Sequence, residues 1–526
     1  MSETLYDVAR AAARRWGTRE FLVVGPRREV LSFEELGARA DRVGRLLAAR
    51  GVRPGDRVAL AMANSTDWAV AAFGVARAGA VLVAVSTRLT SREVLHLLDL
   101  TEPALVVMDD VVRGRHLVEE WLPSVLAARD AQVMVRSPAG MRYDHLLDWE
   151  TETAEERPPI PPAADLVAAG GAFAGVAAIL STSGTTSAPK GVLLTHAGLI
   201  RLARAVAARQ ELGPRERFTT IAPFFHCSGF MHGLLTCLVS GTTMFATARY
   251  DPEEFWETLV RERVTVYHGF VGPLRDLAAD PRVDVRRARA FDRAWYSAPA
   301  AEMAELERAW NTRMCEVYGL TETGGNVAIC RADDPVDMRH DSDGRPHEGV
   351  EVAVVDPGTG RPLPDGEPGE LWVRGWNVMR GYVRDPEGTA RALDPQGWLH
   401  TGDQGVRLRD GFIKFLSRLK DIIRVGGENV SPMEIEEVLA SHPAVAEVAV
   451  VSAPDARLAE VPVAFVIRRH GATVTSLDLE AYCRARLADF KVPRRFLFVD
   501  AFPRTGATNR VQKGKLREML RAPVEP

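Results

Sequence analysis

Short, continuous apolar segments alternate with amphipathic helix patterns along most of the chain, and this alternation limits the possible folds more than any other feature. Residues 81–85 and 104–108 are apolar throughout, which is typical of strands buried on both faces of a parallel sheet. Ser32 to Glu35 form a capping-box pattern, and the helical stripe that follows ends at Gly51. We therefore predict an α/β architecture.

Changes in pattern along the 526 residues predict more than one domain. Beyond residue 350, short strand patterns separated by Gly, Pro and Asp predict β-hairpins. Ser431 to Glu434 form a second capping-box pattern, which predicts a helix to about Ala440. We predict a large N-terminal region (1–417) of layered α/β subdomains plus a β-rich subdomain. A hinge (418–420) and a small mobile α+β C-terminal domain (421–526) follow it.

Composition excludes several classes of protein. Lys and Arg number 66 against 70 Asp and Glu, so no overall basic field favours nucleic acid. No apolar run approaches the ~20 residues that span a bilayer, and the charged start lacks an apolar signal core. Five distant cysteines without a CxxC pair favour a reducing compartment, with no disulfide framework and no zinc site. We expect a cytoplasmic monomer or homodimer with neither nucleic acid nor a membrane span.

The clearest local motif joins a strand pattern at 176–180 to a helix pattern that begins near Ala197. The connecting segment is STSGTTSAPKG, and Lys190 within it is the only lysine before residue 414. Hydroxyl groups and backbone N–H groups with little side-chain bulk suit a polyphosphate, and the lysine would neutralise it. Ser/Thr/Gly segments are also common as plain loops, but the flanking strand, helix and lysine favour nucleotide binding. The spacing differs from the common GxxxxGKS/T loop.

Three further motifs follow in order: VYGLTETG, GWLHTGD and SRLKDIIRVGGENVSPMEIE. Together the four resemble the adenylate-forming superfamily of acyl-CoA synthetases, peptide-synthetase adenylation domains and luciferases, and are most similar to bacterial acyl- or aryl-CoA ligases. The resemblance implies an acid–thiol ligase that uses ATP, Mg²⁺ and coenzyme A. A carboxylic acid would become an acyl-adenylate with release of pyrophosphate, and the acyl group would then pass to coenzyme A with release of AMP.

The resemblance also implies roles for individual residues. Tyr318 would stack on adenine, Thr321 would contact the α-phosphate, and Glu322 would bind Mg²⁺. The implied ATP-binding residues are Thr182, Ser183, Gly184, Thr185, Thr186, Lys190, Ser297, Ala298, Pro299, Tyr318, Gly319, Thr321, Asp403 and Arg418. The implied catalytic residues are Lys190, Thr321, Glu322, Lys420 and Arg510. Lys420 would be the hinge pivot, and Gly426 and Gly427 would face the pantetheine tunnel.

The C-terminal motif departs from the family pattern. Many members carry a lysine that bridges the carboxylate and the α-phosphate, and the count back from Leu516 places Arg510 at that position. A planar guanidinium is wider than an ammonium, so the exchange is not conservative. Three alternatives stay open: Arg510 performs the role, Lys513 reaches in through a shifted loop, or adenylation is weakened.

An acyl pocket is implied at His226, Phe270, Val271, Gly319 and Gly324, and His268 belongs to the same segment as Phe270. These residues carry no unpaired charge, which favours a hydrophobic or aromatic acid; an amino-acid adenylation domain would more often place an aspartate here. A lone histidine among aromatics is also commonly a hydrogen-bonded core residue, so both interpretations of His226 stay open.

Alternative functions keep the adenylation step or lose it. The acceptor is coenzyme A in the leading hypothesis, and an acyl-carrier-protein thiol or an amine in a close rival; a nitrite-activating, diazotase-like variant is a further rival. A nucleotide-binding pseudoenzyme is the alternative from another class, and the intact Lys190, Glu322, Asp403 and Lys420 argue against it. The exact acid is not specified by these residues.

Overall fold

The computed structural model describes residues 3–128, 132–144, 146–181, 190–425, 428–455, 457–505 and 511–521. Thr182, Ser183, Gly184, Thr185, Thr186, Gly426, Gly427 and Arg510 lie outside the described residues. In the described part of the chain, no helix is both long and apolar enough to cross a membrane.

One large sheet consists mainly of parallel strands. Within the described ranges, its seven strands lie in the order Arg313–Cys315, Arg293–Trp295, Val266–His268, Arg217–Thr220, Thr243–Ala246, Glu20–Val24 and Glu29–Ser32. Neighbouring strands are parallel except for the hairpin that the last two form. This hairpin closes one edge of the sheet.

A second large sheet carries the apolar segments that the sequence pattern singled out. Over the described residues, its eight strands lie in the order Gly381–Tyr382, Gly191–Thr195, Val176–Ser181, Val81–Ala84, Arg57–Ala61, Leu105–Asp109, Gln132–Arg136 and Leu147–Asp148. Val81–Ala84 and Leu105–Asp109 are buried at every position and have parallel neighbours on both sides. The prediction of buried parallel strands is confirmed.

Helices cover both large sheets. The longer helices of the N-terminal region are Leu5–Trp16, Phe33–Ala49, Thr66–Arg77, Ser91–Thr101, Leu117–Ala128, His196–Arg209, Pro252–Arg261, Val271–Ala279 and Ala300–Trp310. The shorter ones are Trp149–Ala154, Ala163–Ala168, Thr236–Ser240, Val336–Asp341 and Pro386–Ala392, and a π-helix covers Ser228–Leu235. Phe33–Ala49 begins as predicted, because Ser32 and Glu35 form the capping box.

The β-rich part of the N-terminal region is antiparallel. In the portion of the chain that is described, its four-stranded sheet has the order Val350–Val355, Gly369–Gly375, Leu399–Arg407 and Ile413–Arg418. The first two strands are the hairpin that turn residues predicted. A small sheet of Val317–Tyr318, Ala328–Ile329 and Arg345–Pro346 lies earlier in the chain, and Val111–Val112 pairs with Arg115–His116.

The C-terminal part has its own sheet and apolar clusters. Glu428–Val430, Ile423–Val425, Ala459–Arg468 and Val445–Asp455 are neighbours in that order, and Arg495–Phe498 lies parallel to Ala459–Arg468. The helices are Pro432–Ala440, Ser476–Arg484 and Lys513–Arg521. Its described buried apolar residues form two clusters separate from those of the preceding sheets.

One local prediction in this part is wrong. The helix Pro432–Ala440 begins and ends as expected, but the side chain of Ser431 does not cap it. The Ser431 hydroxyl instead donates to the carbonyl oxygen of Leu416, at 3.1 Å. A contact with a strand distant in sequence has replaced the local capping bond, and it ties this helix to the β-rich sheet.

Candidate active site

Several predicted site residues follow the carboxyl ends of parallel strands, where open α/β sheets commonly bind ligands. Ser181 ends a strand directly before the Ser/Thr/Gly segment, and Phe270 and Val271 follow the strand Val266–His268. Ser297 to Pro299 follow the strand Arg293–Trp295. Phe270, Val271 and Ser297 to Pro299 thus lie at the same edge of the seven-stranded sheet, and the Ser/Thr/Gly segment follows a strand of the eight-stranded sheet.

Tyr318, Asp403 and Arg418 form one hydrogen-bonded group. The Tyr318 hydroxyl donates to Asp403 Oδ2 at 2.8 Å, and Arg418 Nε lies 2.8 Å from Asp403 Oδ1. Asp403 and Arg418 meet because they face each other on neighbouring antiparallel strands. Burial and the adjacent Asp403 charge raise the pKa of Tyr318 well above its usual value, so this phenol remains a neutral donor.

The aromatic face of Tyr318 also has a protein neighbour. Its ring is nearly parallel to that of Phe415, with the centroids 5.9 Å apart and an interplanar angle of 18°. This contact fixes the plane of Tyr318 against one side of the site. Stacking of the ring on adenine stays a prediction.

Lys190 and Glu322 meet through a residue that the sequence analysis missed. The Tyr382 hydroxyl donates to Glu322 Oε1 at 2.8 Å, while Lys190 Nζ lies 4.4 Å from the centroid of the Tyr382 ring. Lys190 Nζ is also 3.7 Å from Asp385 Oδ2. Burial and the Glu322 charge raise the pKa of Tyr382. One tyrosine therefore lies between the predicted phosphate-binding cation and the predicted metal ligand.

Glu322 fits Mg²⁺ by its chemistry. Mg²⁺ prefers oxygen ligands, and it commonly binds through one or two carboxylates together with substrate phosphates and water. Glu322 is half-exposed, and its backbone oxygen accepts from the Met379 N–H at 2.7 Å. The residue is therefore held at both its backbone and its side chain, beside the lysine predicted to neutralise phosphate.

The turn that carries Thr321 and Glu322 depends on its glycines. Thr321–Thr323 is one 3₁₀ turn, and Gly325 after it has φ +99°, a conformation that L side chains rarely adopt. A Cβ atom on Gly319 would lie 2.3 Å from the Gly325 carbonyl oxygen. The two ends of the turn can approach this closely only without side chains. This is a physical reason for the glycines of YGLTETGG.

Two buried carboxylates lie behind the predicted adenine side. The Ala298 N–H donates to Glu316 Oε2 at 3.1 Å, and the Phe415 N–H donates to Asp343. Burial raises the pKa of both carboxyl groups, and their mutual proximity raises that of Glu316 further. Sequence analysis missed both residues, because isolated acidic residues form no pattern.

On the acyl side, the π-helix Ser228–Leu235 brings one more histidine, His232, to the predicted pocket. The Trp295 indole N–H lies 3.2 Å from His232 Nδ1, and His232 Nε2 lies 3.2 Å from the Gly325 carbonyl oxygen. An indole only donates and a carbonyl only accepts, so His232 is protonated on Nε2 alone. Burial lowers its pKa to about 4. His232 therefore links the π-helix to the turn that carries Glu322.

His226 lies at the entrance to this π-helix. It is half-buried, and its Nδ1 accepts from the Ser228 N–H at 3.2 Å. Cys227, the next residue, packs closely on Gly325. A Cβ atom on Gly325 would lie 2.9 Å from Cys227 Sγ. The residue after His226 thus packs against Gly325, the neighbour of Gly324.

Phe270 and Val271 are also half-buried. The backbone N–H and carbonyl oxygen of Phe270 both bond the Tyr267 hydroxyl, at 3.1 and 2.8 Å. These two hydrogen bonds to one hydroxyl fix the turn after the strand Val266–His268. The aromatic side chain of Phe270 is thereby held at the predicted pocket.

A cationic cleft beside His226 was not found from the sequence. Its lining includes Arg88, Arg113, Pro223 and Phe225, and Phe225 directly precedes His226 in the chain. Burial and the neighbouring Arg113 lower the pKa of Arg88 to about 10, and burial and Arg249 lower that of Arg113. Side chains far apart in the sequence form this cluster, so the pattern of the chain gave no sign of it.

The turn at the predicted hinge directly follows Arg418 of the candidate site. Lys420 is in the 3₁₀ turn Leu419–Asp421, and Asp421 Oδ1 pairs with Arg517 at 2.7 Å. Lys513 Nζ lies 2.7 Å from Glu436 Oε1. Lys513 is thus engaged within the C-terminal part in this structure.

Comparisons with known proteins identify the family of the chain. The AMP-binding enzyme family model matches residues 9–383, and the model of the AMP-binding enzyme C-terminal domain matches residues 434–508. A methyl-dioxo-octahydroindenyl-propanoyl:CoA ligase from Rhodococcus jostii is 35% identical over 528 residues, which cover 98% of each chain. A feruloyl-CoA synthase from Amycolatopsis is 33% identical over 496 residues, which cover 93% of each chain.

A solved structure supports the same assignment. ATP-bound MatB from Rhodopseudomonas palustris has a TM-score of 0.88 and 28% identity, with coverage of 99% of this chain and 100% of that one. The predicted fold, a large α/β region followed by a small C-terminal domain, is confirmed. The predicted class of enzyme, an AMP-forming ligase that uses ATP, Mg²⁺ and coenzyme A, is confirmed with it. The chain belongs to the AMP-binding enzyme family, the adenylate-forming superfamily that its four motifs resemble.

Proposed function

We propose that this protein is an acyl-CoA synthetase that activates a hydrophobic or aromatic carboxylic acid with MgATP and transfers the acyl group to coenzyme A. The observation that carries the proposal is the contact of Lys190 and Glu322 with the same tyrosine, Tyr382. A phosphate-binding cation and a magnesium-binding carboxylate are thereby held side by side.

In the first half-reaction, a carboxylate oxygen attacks the α-phosphorus of ATP, and pyrophosphate leaves. Two anions must approach each other, so positive charge and directed donors provide most of the rate acceleration. Lys190 and residues 182–186 hold the β- and γ-phosphates, and Thr321 donates to the α-phosphate. Magnesium, when bound at Glu322, neutralises charge on the phosphate oxygens. These roles follow from the family motifs and from the position of Lys190 and Glu322 around Tyr382.

Asp403 and Arg418 hold the nucleoside in this proposal. The Asp403 carboxylate is almost fully buried, at 1% exposure, and an ionised carboxylate accepts hydrogen bonds from the two ribose hydroxyls. Arg418 and Tyr318 compensate its charge in the absence of a ligand. A rigid, charge-compensated acceptor positions the ribose, and with it the α-phosphate, for attack.

In the second half-reaction, the coenzyme A thiol attacks the acyl carbon and AMP leaves. Coenzyme A carries several phosphate charges, and Arg88 and Arg113 are cations in a cleft that is also lined by Phe225, the residue before His226. Mutual repulsion among these arginines makes an anionic ligand favourable there. We propose that this cleft binds the phosphates of coenzyme A, and that Gly426 and Gly427 leave room for its pantetheine arm.

The C-terminal domain, in this proposal, presents different groups to the pocket in the two half-reactions. Residues 418–420 form the hinge between domains 1–417 and 421–526, and Lys420 is its pivot. Arg510 takes the role of the bridging lysine during adenylation. The ion pair between Lys513 and Glu436 supports the assignment to Arg510 instead of Lys513.

We also propose a cytoplasmic location. All five cysteines are buried as free thiols, which agrees with a reducing compartment. Fractionation of cells that produce the tagged protein would test this; recovery in an oxidising compartment would contradict it. The choice between monomer and homodimer stays a prediction for sedimentation analysis.

The function is tested by product analysis. The protein is mixed with MgATP and a panel of hydrophobic, aromatic, dicarboxylic and amino acids, and pyrophosphate is measured with and without coenzyme A. Mass spectrometry then identifies the acyl product. We expect acyl-CoA and AMP from an uncharged apolar or aromatic acid. Products on a carrier protein, on an amine or from nitrite would favour the alternative acceptors, and the absence of pyrophosphate from every acid would favour a nucleotide-binding protein.

A further inference from the structure

The ring of His268 packs against two neighbouring aromatic rings and is bonded at one nitrogen. Its centroid lies 4.2 Å from that of His232 and 5.2 Å from that of Trp295, and both contacts are stacked. His268 Nδ1 is 2.9 Å from the Trp295 carbonyl oxygen. Because a carbonyl oxygen only accepts, Nδ1 must carry the proton and donate.

The other nitrogen is consequently a buried acceptor. Burial and the nearby His232 lower the pKa of His268 well below its ordinary value, so the ring stays neutral and Nε2 carries a lone pair. Nε2 is buried and meets no hydrogen-bond donor among the described residues, and the whole residue is 4% exposed. A buried acceptor without a donor is unfavourable, and in folded proteins it calls for an explanation.

The position of His268 suggests which molecule supplies the donor. His268 ends the strand Val266–His268, directly before the pocket residues Phe270 and Val271. His226, at the entrance to the π-helix, is close enough to His268 to lower its pKa further. The surrounding rings of His232 and Trp295 are engaged with each other and with Gly325. The free lone pair therefore lies among the residues predicted to surround the acyl group.

We propose that His268 Nε2 accepts a hydrogen bond from a hydroxyl or N–H group on the acyl part of the substrate. The preferred acid is then apolar or aromatic in its body and carries one hydrogen-bond donor. A ketone or ether oxygen at the same place only accepts, so it would leave Nε2 without a partner. This inference rests on the proposed acyl-CoA synthetase function and specifies its substrate class.

The test compares matched acids. Sets of aryl and cyclic acids, unsubstituted or with a hydroxyl, amino or methoxy group at each ring position, are assayed for kcat/KM of acyl-CoA formation. At one position we expect the donor-bearing acid to exceed both its unsubstituted and its methoxy counterparts by at least about tenfold, since a site built to bond a hydroxyl discriminates strongly against analogues without it. Equal kcat/KM across each set would overturn this inference and leave the proposed function standing, whereas no acyl-CoA from any acid would overturn both.

A variant assigns the preference to His268. In His268→Phe, which keeps an aromatic ring but has no acceptor, the ratio of the hydroxylated to the unsubstituted acid should fall to within about threefold of one. His116→Phe, at a histidine with a 60% exposed side chain, should keep the ratio of the parent protein. Persistence of the full ratio in His268→Phe would overturn the assignment. If that variant does not fold, the donor-against-methoxy comparison in the parent protein decides the question.

Discussion

Tyr382→Phe tests whether Glu322 needs its hydrogen bond in order to bind magnesium. The change removes one hydroxyl, which donates to Glu322 Oε1 at 2.8 Å, and keeps the ring that contacts Lys190. A hydrogen bond to a charged group contributes about 1.5–3 kcal/mol. Both side chains are half-exposed, so water replaces part of the loss. We expect a cost near the lower end, about 1.4 kcal/mol, which corresponds to about tenfold.

The assay is the rate of pyrophosphate release as a function of free Mg²⁺ at saturating ATP and acid. Residues that orient a metal ligand typically affect metal affinity or activity by about 10- to 100-fold. We therefore expect Tyr382→Phe to require about tenfold more Mg²⁺ for half-maximal rate. Tyr382→Leu also removes the ring, so it should lose a further contribution of about 0.5–1 kcal/mol from the contact with Lys190.

Tyr482→Phe is the matched control. Tyr482 lies in the helix Ser476–Arg484 of the C-terminal part, and its hydroxyl bonds Ser441, so its variant should show the Mg²⁺ dependence of the parent protein. The reasoning is refuted if Tyr382→Phe has the same Mg²⁺ dependence as the parent. It is also refuted if Tyr382→Phe and Tyr482→Phe differ only in thermal stability.

Further outcomes concern the second half-reaction and stability. Lys420→Ala should slow thioester formation more than adenylation in single-turnover assays, and equal slowing would contradict the hinge assignment. Arg88→Ala and Arg113→Ala should each raise KM for coenzyme A by about tenfold, because each loses one charged hydrogen bond. Pyrophosphate release without coenzyme A should stay unchanged. A change in pyrophosphate release with no change in KM for coenzyme A would contradict the proposed phosphate cleft. Burial lowers the pKa of His196 from 6.5 to about 4. Between pH 6.5 and pH 4 the unfolded chain therefore binds more protons than the folded protein, so the free energy of unfolding falls as the pH drops through this range. His196→Gln should reduce that slope by up to about 1.4 kcal/mol per pH unit in urea titrations, and an unchanged slope would refute the cause.

Local sequence patterns correctly predicted those helices and strands that are determined by residues close together in the sequence. Val81–Ala84 and Leu105–Asp109 are buried strands because apolar side chains suit both faces of a parallel sheet, and Ser32 caps a helix through a residue three positions away. Ser431 has the same local pattern, yet its hydroxyl bonds Leu416 from another sheet. A tertiary contact can replace a local bond of similar energy, and the sequence does not reveal which one forms.

The site shows the same limit. Motifs identified Tyr318, Asp403 and Arg418, and the structure joins all three. No pattern indicated Tyr382, because its role depends on a strand pairing with residues 191–195 that brings it beside Lys190 and Glu322. The protonated nitrogen of His232 could not be inferred either, since it follows from partners at residues 295 and 325.

The turn from Tyr318 to Gly325 connects the two halves of the site mechanically. It is held at Tyr318 by Asp403, at Glu322 by Tyr382, and at Gly325 by the His232 Nε2–H group. Loss of the third contact should move Glu322 whatever acid is bound. We therefore expect His232→Phe to lower kcat/KM for all acids by a similar factor, about tenfold, since it leaves a buried carbonyl and the Trp295 N–H without partners.

This result would contrast with that of His268→Phe, which should change the ratio between acids. The two rings stack on each other, so a general disturbance of the pocket would affect both variants alike. Different behaviour of the two would separate positioning of the catalytic turn from recognition of the substrate. A selective effect of His232→Phe on hydroxylated acids alone would contradict the coupling, because it would place His232 in substrate recognition instead of in support of Gly325.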